Sequence, residues 1–202
     1  MEVQNLKNSF WLISVGMGYG HQRTAFPLEK WAQKVINANF YEGIPKGDKR
    51  IWEITQQNYE RISRFQRVPI IGPISFAIFD LFQKISDFYP RRNLSKPNFV
   101  LREIYKLIKK GWGRDLIEKL KKENKKLGKN LPLLTTFFVP AFMAEEWQYP
   151  GEIFCIVCDA DIARTWAPLD PKKSKIKYFV PTERVKERLI LYGVKSENIF
   201  FT

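Results

Sequence analysis

Phe10-Trp11-Leu12-Ile13-Ser14-Val15-Gly16-Met17-Gly18-Tyr19-Gly20-His21 is the stretch on which the reading of this chain turns. An apolar run ends in three alternating glycines and then in the only histidine of the protein. A helix-like pattern follows, with Phe26, Leu28, Trp31, Ala32, Val35 and Ile36 on its apolar face. The order is strand, glycine turn, helix. Such a turn lets backbone N–H groups approach a polar or anionic ligand at a helix start, because no side chain blocks the way. It also sets a titratable imidazole at the mouth of that site.

Working outward, the pattern predicts a strand over about Asn8 to Val15 and a helix over about Thr24 to Ala38, with Pro27 tolerable near the helix start. Helices are expected at about Ile51 to Arg67 and Ile74 to Phe88. A Lys-rich helical pair over about Phe99 to Leu127 breaks at Gly111-Trp112-Gly113. Beyond it lie a short apolar run from Leu131 to Val139 and a helix that Pro140 can open. Strands are expected at Gly151 to Cys158, Lys175 to Val180 and Asn198 to Thr202. Thr182 is placed to cap a helix that Gly193 ends. Apolar strands alternating with helices predict an α/β fold: a Rossmann-like parallel sheet with helices on both faces and extra helices over about 44–129. Ligands of such sheets bind outside the carboxyl ends of the strands, so Gly16 to His21, Thr135 to Phe138 and Asp159 to Trp166 should share one rim.

Composition sets further bounds. The 202 residues are 45% hydrophobic and 15% aromatic, enough for the core of one large domain. The longest apolar stretch, Val68 to Phe82, is interrupted by Pro69, Gly72, Pro73, Ser75 and Asp80 and cannot supply the about 20 clean residues of a membrane span. The N-terminus lacks a signal-peptide pattern, and two cysteines fit a reducing cytoplasm. The net charge of +13 favours anionic surfaces. Lys109, Lys110, Lys119, Lys121, Lys122, Lys125, Lys126 and Lys129 crowd one region, readable either as a solvated helical face or as an anionic-membrane footprint. The apolar stretch Val68 to Tyr89 reads either as a buried helix or as an amphipathic surface for a bilayer or lipid tail.

The candidate chemistry is narrow. Gly16-x-Gly18-x-Gly20 lacks the third-glycine spacing of a dinucleotide fingerprint, and Glu42 is poorly placed for a ribose, which argues against a nicotinamide or flavin cofactor. His21 lies in a glycine turn and not on an apolar face, so a catalytic or substrate-binding role is expected. Without a second histidine it is a poor metal ligand, and no metal site is expected. Cys155 and Cys158 fall within a predicted strand and read as core. Asp159 and Asp161 end that strand, where a carboxylate could orient His21 or bind a sugar hydroxyl.

Gly18-Tyr19-Gly20-His21, followed by Ala25, resembles the Gly-Gly-His loop of GT-B glycosyltransferases that act on lipids. These are the monogalactosyldiacylglycerol synthases, the processive diacylglycerol glucosyltransferases and the lipid-II N-acetylglucosaminyltransferase. A second series is similar to the same family: Ile156-Val157-Cys158-Asp159, Trp166, Tyr178-Phe179-Val180-Pro181-Thr182-Glu183, Val185, Leu189, Tyr192-Gly193-Val194 and Asn198-Ile199. The chain departs from the family in having Cys158 for a threonine and no histidine after Asp159. Arg164 is the candidate substitute for that polar contact.

The resemblance implies the N-terminal, acceptor-binding domain of an inverting, metal-independent glycosyltransferase. The C-terminal donor domain would be absent, since the family's crossover would begin where Phe200-Phe201-Thr202 stands. On this reading His21 is the general base, or positions the acceptor, and Asp159 orients it. Gly16, Gly18, Tyr19, Gly20, Gln22, Thr136, Phe137, Arg164 and Trp166 contact substrate. The donor would be a UDP-sugar, with no other cofactor. The acceptor would be a lipid or amphiphile, and the protein cytoplasmic and peripheral on the inner membrane face. The alternative is a non-enzymatic anion- or partner-binding Rossmann-like subunit. A nucleic-acid partner is disfavoured by the lack of a recognised motif.

Overall fold

The computed structural model describes residues 9–65 and 85–202, and for residues 58–65 the backbone alone. Six parallel strands form one sheet in the order β2-β1-β3-β4-β5-β6: β1 Trp11–Ser14, β2 Lys34–Asn37, β3 Leu133–Thr135, β4 Ile153–Ile156, β5 Lys177–Val180 and β6 Ile199–Phe201. The α-helices among the described residues are α1 Tyr19–Ala25, α2 Lys46–Phe65, α3 Phe99–Lys109, α4 Arg114–Leu127, α5 Phe138–Glu146 and α6 Glu183–Leu191. The α/β Rossmann-like class expected from the alternation is what the chain adopts.

The expected helix over Thr24 to Ala38 is corrected. Helix α1 starts earlier, at Tyr19, and ends at Ala25. A 3-10 stretch, Phe26–Trp31, follows, and the chain then enters β2. Pro27 at the second position of the 3-10 stretch has no N–H for an α-helical bond, and the β-branched Val35 and Ile36 suit a strand beside β1. The apolar spacing of this segment is thus split between a short helix and an edge strand. The expected helix at Ile74 to Phe88 lies outside the described residues up to 84, and residues 85–89 have no regular structure. Most of the apolar stretch Val68 to Tyr89 falls outside the described residues as well.

The glycine break in the Lys-rich pair is real and has a packing reason. Gly113 sits at φ 80° between α3 and α4, and its N–H donates to the buried Asp48 carboxylate at 2.9 Å. A Cβ there would lie 2.3 Å from Met143 Sδ. Gly113→Ala therefore combines a left-handed backbone penalty with an overlap against α5. We expect it to lower stability by about 2 kcal/mol, read as a lower urea midpoint at unchanged m-value. Helix α4 is tied to the sheet by a satisfied polar chain. Trp11 Nε1 donates to Asn124 Oδ1 at 2.8 Å, Asn124 Nδ2 donates to the Tyr149 hydroxyl at 3.0 Å, and that hydroxyl donates to the Leu131 carbonyl at 2.6 Å.

Topology decides where a ligand can sit. The chain steps one way from β1 to β2 and the opposite way from β1 to β3. The carboxyl ends of β1 and β3 therefore form a switch point, where the following segments diverge and leave a crevice.

Candidate functional site at the switch point

Gly16 to His21 leave β1, Thr136 and Phe137 leave β3, and Cys158 and Asp159 leave β4, all at the same edge of the sheet. His21 joins the first two. Its Nδ1 lies 2.7 Å from the Thr136 carbonyl oxygen, and the Thr136 hydroxyl donates to the His21 carbonyl at 3.1 Å. One fully buried threonine thus holds both the ring and the main chain of the histidine. A carbonyl oxygen only accepts, so Nδ1 carries the proton. In the neutral ring Nε2 keeps its lone pair.

The ring stands among aromatics. The Phe137 ring meets it edge-on at 5.0 Å between centroids, and the Trp166 ring lies at 6.2 Å. Phe138 packs behind, 4.4 Å from Phe137 and 5.2 Å from Trp166. Burial by these neighbours lowers the His21 pKa below 6.5, against the opposing pull of the Thr136 carbonyl and the Asp159 charge. The surrounding protein raises the Asp159 carboxyl above the ordinary range, and proximity to His21 opposes that rise. Asp159 itself is exposed, so it acts on the ring as a nearby, partly screened charge.

The glycine loop is more differentiated than its sequence suggests. Gly18 caps α1 at φ 97°, a conformation that favours glycine. A Cβ on Gly20 would meet open space, and one on Gly16 only ordinary contacts with Phe40 and Asn39. The Gly16 N–H is already spent on Asn39 Oδ1 at 3.1 Å and is not free for a ligand. Tyr19 and Gln22 are exposed on α1, the former with 80% of its surface.

Arg164 does not join the rim as a ligand contact. It is buried, and its guanidinium donates to the carbonyls of Ser95 at 2.7 and 2.9 Å, Ala167 at 2.6 Å and Pro168 at 3.0 Å. Its role is to fasten the 93–98 segment to the loop after β4, and burial lowers its pKa to about 10. Trp166 is likewise buried and lines the floor beneath His21. Asp161 is committed to Arg184 at 3.0 Å and to Arg188 at 2.8 and 3.1 Å.

Two expectations about the cysteines part company. Cys155 is core, fully buried on β4. Cys158 lies past the strand end and belongs to the rim, with Sγ 3.7 Å from the same Thr136 carbonyl that holds His21. Burial pushes its thiol above its ordinary value, so it is no thiolate nucleophile. Asn39 was invisible as a site residue in the sequence, because nothing local marks a residue that reaches the loop from beyond a neighbouring strand. An open groove of about 1140 Å³ lies at the opposite end of the sheet, lined by Glu152, Ile153 and Lys177 at the starts of β4 and β5. It does not touch the His21 rim, and the carboxyl ends are where such sheets bind ligands.

Among the described residues no cluster of His, Cys, Asp and Glu could hold a metal ion, and no helix is long and apolar enough to cross a membrane. No protein-family model, no curated protein and no solved structure matches this chain.

Proposed function

We propose that this chain is the acceptor-binding half of a nucleotide-sugar-dependent, inverting glycosyltransferase that acts on a lipid or amphiphilic acceptor. The observation that carries this reading is the fixed imidazole of His21. Its tautomer is set by the Thr136 carbonyl, its pKa is lowered, and it stands at the switch point of a parallel sheet.

The chemistry follows from those groups. A hydroxyl of the acceptor donates to Nε2 of neutral His21. As that oxygen attacks the anomeric carbon of the donor sugar, its proton passes to Nε2. The bond from the anomeric carbon to the phosphate oxygen breaks, and the nucleoside diphosphate leaves with the electron pair. Attack opposite the leaving group inverts the anomeric centre. Asp159 lies where its negative charge favours the imidazolium that forms. Phe137 offers an aromatic wall against which a sugar ring or acyl chain can lie, with Trp166 beneath. The donor would be presented by a second domain or subunit facing the Gly16 to Gly20 loop.

The basic helices supply a route to the membrane surface, though a weaker one than a residue count implies. Lys119, Lys121 and Lys126 are paired with Asp115 at 3.0 Å, Glu118 at 2.8 Å and Glu123 at 2.6 Å, so only part of the cluster is free to attract anionic headgroups.

The test is to follow labelled sugar from UDP-sugars into organic-extractable product, using membranes of the source cell with and without this gene. The reading expects one labelled glycolipid to vanish on deletion and to return with the wild-type gene. An unchanged product pattern in the deletion strain would overturn it.

A further inference from the structure

Burial is uneven across the sheet. Every side chain of β1 and β3 is buried. In β4 and β5 burial alternates: Ile153, Cys155, Tyr178 and Val180 are inside, whereas Phe154, Ile156, Lys177 and Phe179 are only half-buried. In β6 Ile199 is buried, and Phe200 and Phe201 are exposed.

The reason is topological. Parallel crossovers are right-handed, so the single step from β1 to β2 places α1 and the 3-10 stretch on one face. The later crossovers run the other way, and their described helices pack on the opposite face, with Trp11, Ile13, Leu133, Cys155 and Tyr178. Among the described residues the first face is therefore covered chiefly near β1 and β3, where Ala25 packs with Leu12 and Leu134, with Leu28, Ala32 and Val35 against them and Phe154, Ile156 and Phe179 partly buried at the border. Over β4, β5 and β6 that face carries no helix among the described residues.

What it presents is an ordered apolar row. Ile156, Phe179 and Phe200 are register partners on three adjacent strands. Phe154 stacks on Phe179 at 5.5 Å, and Phe179 meets Phe200 at 5.8 Å. Phe201, at the end of β6, is 56% exposed.

We propose that this half-face is the docking surface for one amphipathic α-helix of an acidic partner protein. Parallel sheets occur almost only with both faces covered, so a bare half-face calls for a layer. Its dimensions suit a helix. Three strands span about 10 Å between outer axes and are about 10 to 13 Å long, which one helix of about 10 Å diameter and two to three turns covers.

Charge selects the partner. Lys177 lies on the face itself beside Glu152, and the bordering elements carry Arg23 and Lys30 against Glu29. The chain as a whole bears +13, so a second copy would bring two strongly like-charged bodies together. A helix with an apolar stripe and Asp or Glu on its flanks meets both demands. The inference does not depend on the reaction proposed for His21.

The test places the photoreactive residue p-benzoylphenylalanine at position 179 of the full chain in its source cell, with position 99, at the exposed start of α3, as control. The expected result is an adduct from position 179 alone, mapping by mass spectrometry to the apolar stripe of a net-acidic helix. A synthetic peptide of that helix should then bind the purified chain. Combining Phe179→Ser with Phe200→Ser should weaken that binding by at least about tenfold, with an unchanged far-UV spectrum. Phe200→Ser alone, at the exposed edge, should weaken it less. Added salt should also weaken it. Adducts to a second copy, to residues 66–84 of the same chain, to a lipid or to a basic helix would each overturn the proposal, as would the absence of any adduct.

Discussion

His21→Ala is expected to lower the rate of glycosyl transfer by about 10²- to 10⁴-fold, the usual contribution of a positioned general base. The assay is the gene-complemented membrane assay, so that the donor-binding half is present. The side chain is half-buried and its one ring bond goes to a main-chain carbonyl. The loss should therefore fall on rate and much less on the unfolding midpoint.

The pH profile provides an independent check. A base works only when deprotonated, and burial lowers the His21 pKa below 6.5. Activity should hold as pH drops through 6.5 and fall only below it, at the lowered value. Stability has the matching sign. Between the lowered folded value and 6.5 the unfolded chain binds more protons at this residue, so stability at this site rises with pH across that window and is flat above it. Transfer that survives His21→Ala unchanged, or an acid limb centred above 6.5, would remove the base assignment.

Asp161→Ala is expected to be the most destabilising single change considered, by about 3 kcal/mol, the low end for breaking a buried ion pair because Asp161 is itself a quarter exposed. Arg188 is 1% exposed, and the carboxylate takes its Nε at 2.8 Å and its Nη2 at 3.1 Å. Its Nη1 has no hydrogen-bond partner. Removing Asp161 would strand an uncompensated guanidinium between α6 and the loop after β4. Urea titration of the variant at neutral pH measures this loss. Asp161→Asn retains an acceptor and should lose less.

Burial raises the Asp161 carboxyl, but bonds from Arg188, the Ile162 N–H and Arg184 outweigh it, leaving the pKa below 3.8. The pair's contribution is thus complete above 3.8 and is lost as pH falls through the lowered value. In that acid window wild type should weaken more steeply than Asp161→Ala, so the difference between the two closes. A variant as stable as wild type at neutral pH would show that the pair contributes nothing.

Much of this molecule was legible in its sequence, because the signals were local. The apolar strands, the Gly111 to Gly113 break, the Thr182 cap and the Gly193 stop are each decided within a few residues by hydrogen-bonding capacity, side-chain branching and backbone freedom. The Thr182 hydroxyl does accept the Val185 N–H at 3.2 Å, and Gly193 does adopt φ 94°. The rim location of His21, Thr136 and Asp159 was also inferable, since strand ends of a parallel sheet gather on one edge.

The misreadings have a common cause. Lys34 to Asn37 carries apolar spacing that fits a helix, and its place as a strand depends on β1 lying beside it. Arg164 was expected to contact substrate because it stands where the resemblance implies a polar residue after Asp159. Here the carbonyls of Ser95, Ala167 and Pro168 enclose it. Cys158 looked like core because the strand was expected to run two residues further than it does.

By itself, then, the sequence determined an α/β chain with a glycine turn and a lone histidine at a strand end, since those features follow from short-range sterics and burial patterns. Only the tertiary structure decided what that histidine is. The carbonyl that sets its tautomer lies 115 residues away, and the aromatic rings that lower its pKa arrive from two other crossovers. The half-face over β4 to β6 that no described helix covers was decided at the same level, because strand order and crossover handedness are properties of the assembled sheet and of no single segment.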